Sequence, residues 1–265
     1  MSDLFPVVVV GSGNMGAALA RCLRRAHPDS EILGIDPERV RLEQLSTEGI
    51  LRPAPSDWVL DRGTLVLAIK PQVLDLVAAQ LKPHLGKDVV VVSILAGVPV
   101  ARLRAAMGTD RVVRTMPNLA LMAGAGATAI AIDGLPPDIL DRARQILAPT
   151  GEVVEVLEAQ LDAVTGLSGS GPAYVLKFLM SLEDGGVLAG LPRGVARKLA
   201  MATVSGTMRW ATESGMELDA LRGQVTSPGG TTIYGLQALE AGGFTSSVMQ
   251  AVQTATQRSK ELGKG

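Results

Sequence analysis

The sequence predicts an α/β chain whose first half is a doubly wound, mostly parallel sheet and whose second half is entirely helical. Three observations carry that expectation. Short apolar, β-branched runs alternate with helix-period segments through the first half. The first run ends in Gly11-Ser12-Gly13-Asn14-Met15-Gly16 and opens directly into a helical pattern. From about Ala159 the strand patterning stops. The expected division is therefore a sheet domain over 1–158 and a helical domain over 159–265.

Leu4 to Val10 is apolar almost without interruption, which suits a strand buried on both faces. A helix is expected from Asn14 to about Ala26. Glu31–Ile35 reads as the second strand, and Pro37–Leu45 as a helix with proline at its first position. Thr64–Ile69 is the next strand, ended by Lys70-Pro71, and Val73–Leu81 is helical. Val89–Leu95, Val112–Met116 and Ala127–Ile132 complete the strands. Helices are expected over Leu161–Thr165, Ala173–Leu188, Gly194–Thr212, Asp219–Gln224, Thr231–Glu240 and Thr245–Leu262. Pro172 and Pro192 stand where a first helical turn tolerates proline, and Gly190 is placed to end a helix. A helical segment of this size, with many apolar faces, suits packing against a second copy of itself.

Composition narrows the function classes. The 265 residues are 47% hydrophobic and 19% charged, which supplies a core and argues against disorder. The net charge of −1 gives no basic face for nucleic acid. No run approaches the roughly 20 apolar residues of a membrane span, and the start has no signal-peptide pattern, so a cytoplasmic chain is expected. Cys22 is alone and reads as a buried, inert thiol. The two histidines, His27 and His84, sit in turns away from other ligand types, so no metal site and no histidine triad are expected.

The glycine string has a specific chemistry. Gly11 permits the tight turn, Gly13 lets backbone approach a pyrophosphate, and Gly16 lets helix pack on strand. The following helix start, with Ser12, Asn14 and Met15, offers free N–H groups to phosphate. Asp36 lies 20 residues beyond Gly16, where a carboxylate accepts from the adenosine ribose hydroxyls. It would repel a 2′-phosphate and so leans the expected cofactor from NADPH toward NADH. Arg39 and Arg41 nearby weigh the other way. Asp36 could also cap the helix expected at Pro37. In the second half, two turns combine hydroxyls with glycines ahead of a helix. They are Ser168-Gly169-Ser170-Gly171-Pro172 and Thr226-Ser227-Pro228-Gly229-Gly230-Thr231-Thr232. Such turns either cap their own helices or hold a carboxylate without a fixed cation.

These motifs, in this order, resemble the pyrroline-5-carboxylate reductase family over nearly the whole chain. The strongest stretches are Val164-Thr165-Gly166-Leu167-Ser168-Gly169-Ser170-Gly171-Pro172-Ala173-Tyr174 and Val225-Thr226-Ser227-Pro228-Gly229-Gly230-Thr231-Thr232-Ile233. Ala68-Ile69-Lys70-Pro71-Gln72 and Arg114-Thr115-Met116-Pro117-Asn118 add to the likeness. The resemblance implies a Rossmann-type domain followed by an all-helical dimerisation domain, in a homodimer that some relatives assemble further. It implies that Gly11, Ser12, Gly13, Asn14, Met15, Gly16, Asp36, Ala68, Ile69, Lys70 and Pro71 hold NADPH or NADH. It implies that Ser170, Gly171, Ser227, Gly229, Gly230, Thr231 and Thr232 hold the carboxylate of a small cyclic imine. The implied reaction is reduction of 1-pyrroline-5-carboxylate to proline.

Several positions depart from the family's usual pattern. Leu119-Ala120-Leu121 stands where Thr-Pro-Ala is expected, Met180 where an acidic residue is common, and Glu183 where a small residue is common. Lys177 replaces an apolar, aromatic or Thr residue; it reads either as a solvated lysine or as a proton donor bordering the substrate. The departures keep two alternatives open: a reductase for another cyclic imine, such as pyrroline- or piperideine-2-carboxylate, and a non-catalytic dinucleotide-binding sensor.

Overall fold

The computed structural model describes residues 6–263; Leu4 and Phe5 of the first expected strand lie outside the described residues. The chain forms two compact units. One takes in residues up to Ser170 together with the chain from Gln253 onward, and the other is Gly171–Val252. This differs from the expected division at 158/159. The short helix before Ser170 and the end of the last helix pack with the sheet rather than with the other helices.

The first unit is built on eight strands: β1 (Val7–Val10), β2 (Ile32–Ile35), β3 (Arg52–Pro53), β4 (Leu60–Leu67), β5 (Leu85–Ser93), β6 (Val112–Pro117), β7 (Gly126–Ala131) and β8 (Gly151–Val156). Their order is β3-β2-β1-β4-β5-β6-β7-β8. β1 to β6 pair in parallel, β6 with β7 antiparallel, and β7 with β8 in parallel. Six helices accompany them: α1 (Asn14–Ala26), α2 (Arg39–Thr47), α3 (Leu74–Leu81), α4 (Val100–Met107), α5 (Pro137–Leu147) and α6 (Leu161–Val164).

The four valines of β1 explain why a strand forms there. Successive side chains point to opposite faces, and both faces are covered. Val7 and Val9 pack with Leu19 and Leu23 of α1 and Ile146 of α5, while Val8 and Val10 pack with Leu74 of α3 and Leu103 of α4. In β5, Val90 and Val92 join the first layer and Val89 and Val91 the second. Each such side chain, taken out of water, contributes about 1.5–3 kcal/mol.

Two features depart from expectation. The helix expected at Pro37 starts at Arg39, with Glu38 as its flanking residue. The Asp36 carboxylate instead accepts the Glu38 N–H at 2.8 Å, a side-chain turn that carries Pro37 outside the helix. The structure also contains β3, β8, α4 and α5, for which no element was expected. β8 (sequence Gly-Glu-Val-Val-Glu-Val) is a half-exposed edge strand, so it carries charges in place of a continuous apolar run.

The second unit holds α7 (Gly171–Leu188), α8 (Arg193–Ser214), α9 (Leu218–Gln224), α10 (Thr231–Ala241) and the first part of α11 (Phe244–Leu262). Within this unit only Glu183, Ala196, Ala200 and Leu221 are buried. Large apolar side chains such as Leu176, Leu188, Leu199 and Met208 are exposed, Leu188 at 91%. Helices with so few buried residues gain less from one copy's packing than the sheet unit does. Glu183 is held by Arg197 at 2.9 Å and by Arg193 at 2.9 Å, which ties α7 to α8. The hydrogen bonds from Arg197 and then Arg193 hold its carboxyl below the ordinary Glu value.

Two predictions follow from this packing. Leu23→Ala removes a fully buried side chain and should cost about 2–5 kcal/mol, read as a lower urea midpoint. Val40→Ala, at a position 76% exposed, should stay within about 0.5 kcal/mol of the parent; equal losses from the two would refute the assigned core. Glu183 has its folded pKa depressed, so its contribution is complete above the ordinary Glu range near about pH 4.3 and is lost as pH falls through the folded value. Glu183→Gln should therefore flatten the acid side of a melting-temperature profile below that range; an unchanged acid limb would contradict the pairing.

Candidate active site

β1 ends at the glycine turn, and the turn lies where the sheet order reverses between β1 and β4. Gly11 has φ +97°, and a Cβ on it would stand 2.4 Å from the Ala68 carbonyl oxygen. A Cβ on Gly16 would stand 1.9 Å from the Gly11 carbonyl oxygen. Both positions therefore require glycine so that α1 and β4 can close on the turn. Gly13 differs: nothing lies within 4 Å of the space its Cβ would take. Gly13 precedes α1, and no side chain caps the helix, so the first N–H groups are left to a ligand or to water. The Ser12 hydroxyl is buried and has no hydrogen-bond partner. An unpartnered buried hydroxyl costs about 1–3 kcal/mol. A phosphate or ribose oxygen in the turn would relieve that cost, so these residues fit a dinucleotide. Asn14 is exposed and Met15 half-buried beside the turn.

Asp36 is half-buried at the end of β2 and accepts the Ser12 N–H at 2.6 Å. Its carboxylate thus touches the glycine turn directly. Gly11, Gly13, Asp36, Ala68, Ile69 and Lys70 line one cleft of about 680 Å³. Ser12 and Asn14 line an adjoining cleft on the α1 side, which Gly13 shares, and Pro71 lines another. Pro71 opens a single 3₁₀ turn, Pro71–Val73, after the exposed Lys70. Arg41 pairs with Glu38 at 3.0 Å, and Arg39 borders the neighbouring cleft that Asp36 also lines. The sequence reading missed two residues of the dinucleotide cleft, Trp58 and His84. Their rings stack with centroids 4.8 Å apart, and nothing in the sequence pairs them.

A second cleft of the same unit, about 400 Å³, is lined by Pro71, Ala96, Gly97, Thr165 and Ser170, with Arg258 from the end of α11. Ser259 holds that end in place by donating to Asp162 at 2.6 Å. The Ser168–Gly171 turn is not the free helix start that was expected. Thr165–Gly169 is a π-helical turn that links α6 to α7, and the Ser170 N–H donates to the Thr165 carbonyl at 2.9 Å. What Ser170 offers the cleft is its side chain. Gly171 opens α7.

In the helical unit, Ser227–Gly230 forms a tight turn, with the Gly230 N–H donating to the Ser227 carbonyl at 3.0 Å and Gly229 at φ +69°. Gly230 precedes α10 without a side-chain cap. The first N–H groups of α10, next to Thr231 and Thr232, are therefore left without a side-chain partner at the cap. Lys177 is exposed on α7. Asn118, at the end of the Arg114–Asn118 motif, is structural: its carbonyl oxygen accepts N–H groups from Ala120 and Ala127. The divergent Leu119-Ala120-Leu121 is part of the 3₁₀ segment that Asn118 caps. Arg114 is likewise structural, bonded to Glu158 at 3.0 Å, whose carboxylate also accepts the first N–H of α4.

Comparison with known proteins agrees with this arrangement. Residues 158–262 match the family model for pyrroline-5-carboxylate reductase dimerisation, and residues 6–97 match that for NADP oxidoreductase, coenzyme F420-dependent. The pyrroline-5-carboxylate reductase of Synechocystis is 43% identical over 261 residues, covering 97% of each chain. Among solved structures, that of Coxiella burnetii superposes with a TM-score of 0.90 at 30% identity, covering 97% of both chains. The Plasmodium falciparum pyrroline carboxylate reductase with NADP bound gives 0.81 at 29% identity, covering 97% of this chain and 99% of that one. A glycine turn built for a dinucleotide, a helical unit without a core of its own and this near-full-length likeness lead to one conclusion: the chain belongs to the pyrroline-5-carboxylate reductase family.

Proposed function

We propose that this chain reduces 1-pyrroline-5-carboxylate to L-proline, the last step of proline synthesis, using NADH or NADPH. The observation that carries the reading is the glycine turn with its unpartnered Ser12 hydroxyl, in a chain 43% identical over nearly its full length to a reductase of that name. Neither alternative, another cyclic imine or a non-catalytic sensor, is favoured by the relatives.

When bound, the dinucleotide supplies the hydride. The chain's own residues bind and orient. The first N–H groups of α1, beyond Gly13, and the Ser12 hydroxyl are offered to the phosphates, while the Gly11 and Ser12 N–H groups are spent on Ile35 and Asp36. Asp36 accepts from the ribose, with Ala68, Ile69 and Lys70 along the cleft and Pro71 following them. Substrate binding is assigned to Ser227 and the Gly229–Thr232 turn, which would hold the carboxylate, and to Ser170 and Gly171. A protonated imine is already electrophilic, so positioning can supply most of the acceleration. One proton is needed, and Lys177 is the candidate group beside solvent. The bare apolar faces of α7 and α8 are covered by a second copy in a homodimer.

The pairing of Asp36 with the turn also supports the lean toward NADH. A 2′-phosphate would bring negative charge against a carboxylate already committed to Ser12 and Glu38.

Steady-state assays with pyrroline-5-carboxylate and each cofactor test the reading, with loss of the reduced nicotinamide absorbance as the signal. Turnover should appear with this imine and exceed that with piperideine-2-carboxylate; Lys177→Leu should lower kcat. Cofactor binding without consumption of this imine would sink the proposal. Asp36→Ser should move the ratio of kcat/KM values toward NADPH by about tenfold, near 1.4 kcal/mol; an unmoved ratio would remove Asp36 from cofactor choice.

A further inference from the structure

The dinucleotide cleft has a wall that the glycine turn and Asp36 do not account for. The glycine turn is assigned to phosphate and Asp36 to the ribose that follows. Beyond them the same cleft is lined by Val73, Leu76, Val77 and Gln80 on the α3 side and by Trp58 and His84, with Glu38 and Arg41 at the α2 side. Trp58 lies in the segment that leads into β4, and it also borders the neighbouring cleft shared with Asp36. It is half-buried, packed on the second core layer but not sealed in it.

His84 holds Trp58 in two ways. His84 stacks on it with an interplanar angle of 11°. The same His84 donates through Nδ1 to the Trp58 carbonyl at 2.7 Å, since a carbonyl can only accept. One residue therefore fixes both the ring and the backbone of the other. The chain has only two tryptophans and is 3% aromatic. A stacked aromatic pair lining a cleft otherwise made of aliphatic and charged residues is thus a distinctive local surface. A purine has the matching face, and stacking on an aromatic side chain tolerates the absence of specific hydrogen bonds.

We infer that Trp58, braced by His84, forms the wall against which the adenine ring of the dinucleotide rests. His84 acts as a positioning residue through Trp58. The inference rests on the dinucleotide reading of the cleft, and it names the part of the ligand that this end of the cleft selects.

Calorimetric titration of the full chain with ADP, NADH and NADPH, followed in parallel by tryptophan fluorescence, tests it. ADP carries the adenine and both phosphates but no nicotinamide. It should quench the wild-type emission, and Trp58→Phe should abolish the quench while leaving the ADP affinity within about twofold. Trp58→Leu should weaken ADP and both dinucleotides by about tenfold. His84→Ala should weaken ADP, and His84→Phe, which restores a ring for the stack, should recover most of the loss. Wild-type affinity for ADP in Trp58→Leu, or an ADP quench that survives in Trp58→Phe, would overturn the adenine wall alone, with dinucleotide binding intact. Failure of wild-type protein to bind either dinucleotide would overturn the cofactor reading and the wall together.

Discussion

The approach of β1 to β4 at the point where the sheet order reverses sets the terms for everything built on it. Two glycines without side chains let three pieces of backbone meet: the turn, the start of α1, and the Ala68 carbonyl at the end of β4. A methyl group at either position would force them apart by more than any side chain could absorb. With the pieces in contact, the amide groups at the head of α1 face outward together, and Asp36 reaches across to hold the turn through Ser12. The site is thus fixed mainly by main chain, which moves less than side chains and loses less entropy when a ligand arrives.

Rigidity on that side is matched by economy on the other. The residues expected to hold the imine carboxylate, Ser170, Gly171, Ser227, Gly229, Gly230, Thr231 and Thr232, include no arginine, only amides and hydroxyls. A cradle of that kind would bind a small anion without a permanent cation. The wide turn at Thr165–Gly169 serves a different end. By spending its amides on its own carbonyls, it turns the Ser168–Gly171 motif from an anion trap into a joint between α6 and α7.

Much of this was legible in the sequence because the physics was local. The four valines ending at Gly11 specify a strand buried on both faces, and the spacing of the three glycines requires a specific turn. α1 runs over Asn14–Ala26 as the periodicity predicts. Elements were missed where burial is partial. β8 keeps charges because it is an edge. α5 hides its four buried positions, Ile139, Ala143, Ile146 and Leu147, among Asp and Arg. Asp36 directly follows β2, where the strand pattern put it, yet its bond to Ser12 could not be read, because it joins residues 24 apart. Trp58 and His84 were passed over for the same reason: a stack across 26 positions leaves no periodic trace.

The bareness of the helical unit reaches beyond folding. If the amides that receive the substrate sit in a segment whose own copy leaves much of its apolar surface open, part of their order is borrowed from association. Dilution would then act on this enzyme as an inhibitor does, loosening the carboxylate cradle before the glycine turn is disturbed. Substrate affinity and subunit affinity become two readings of one equilibrium.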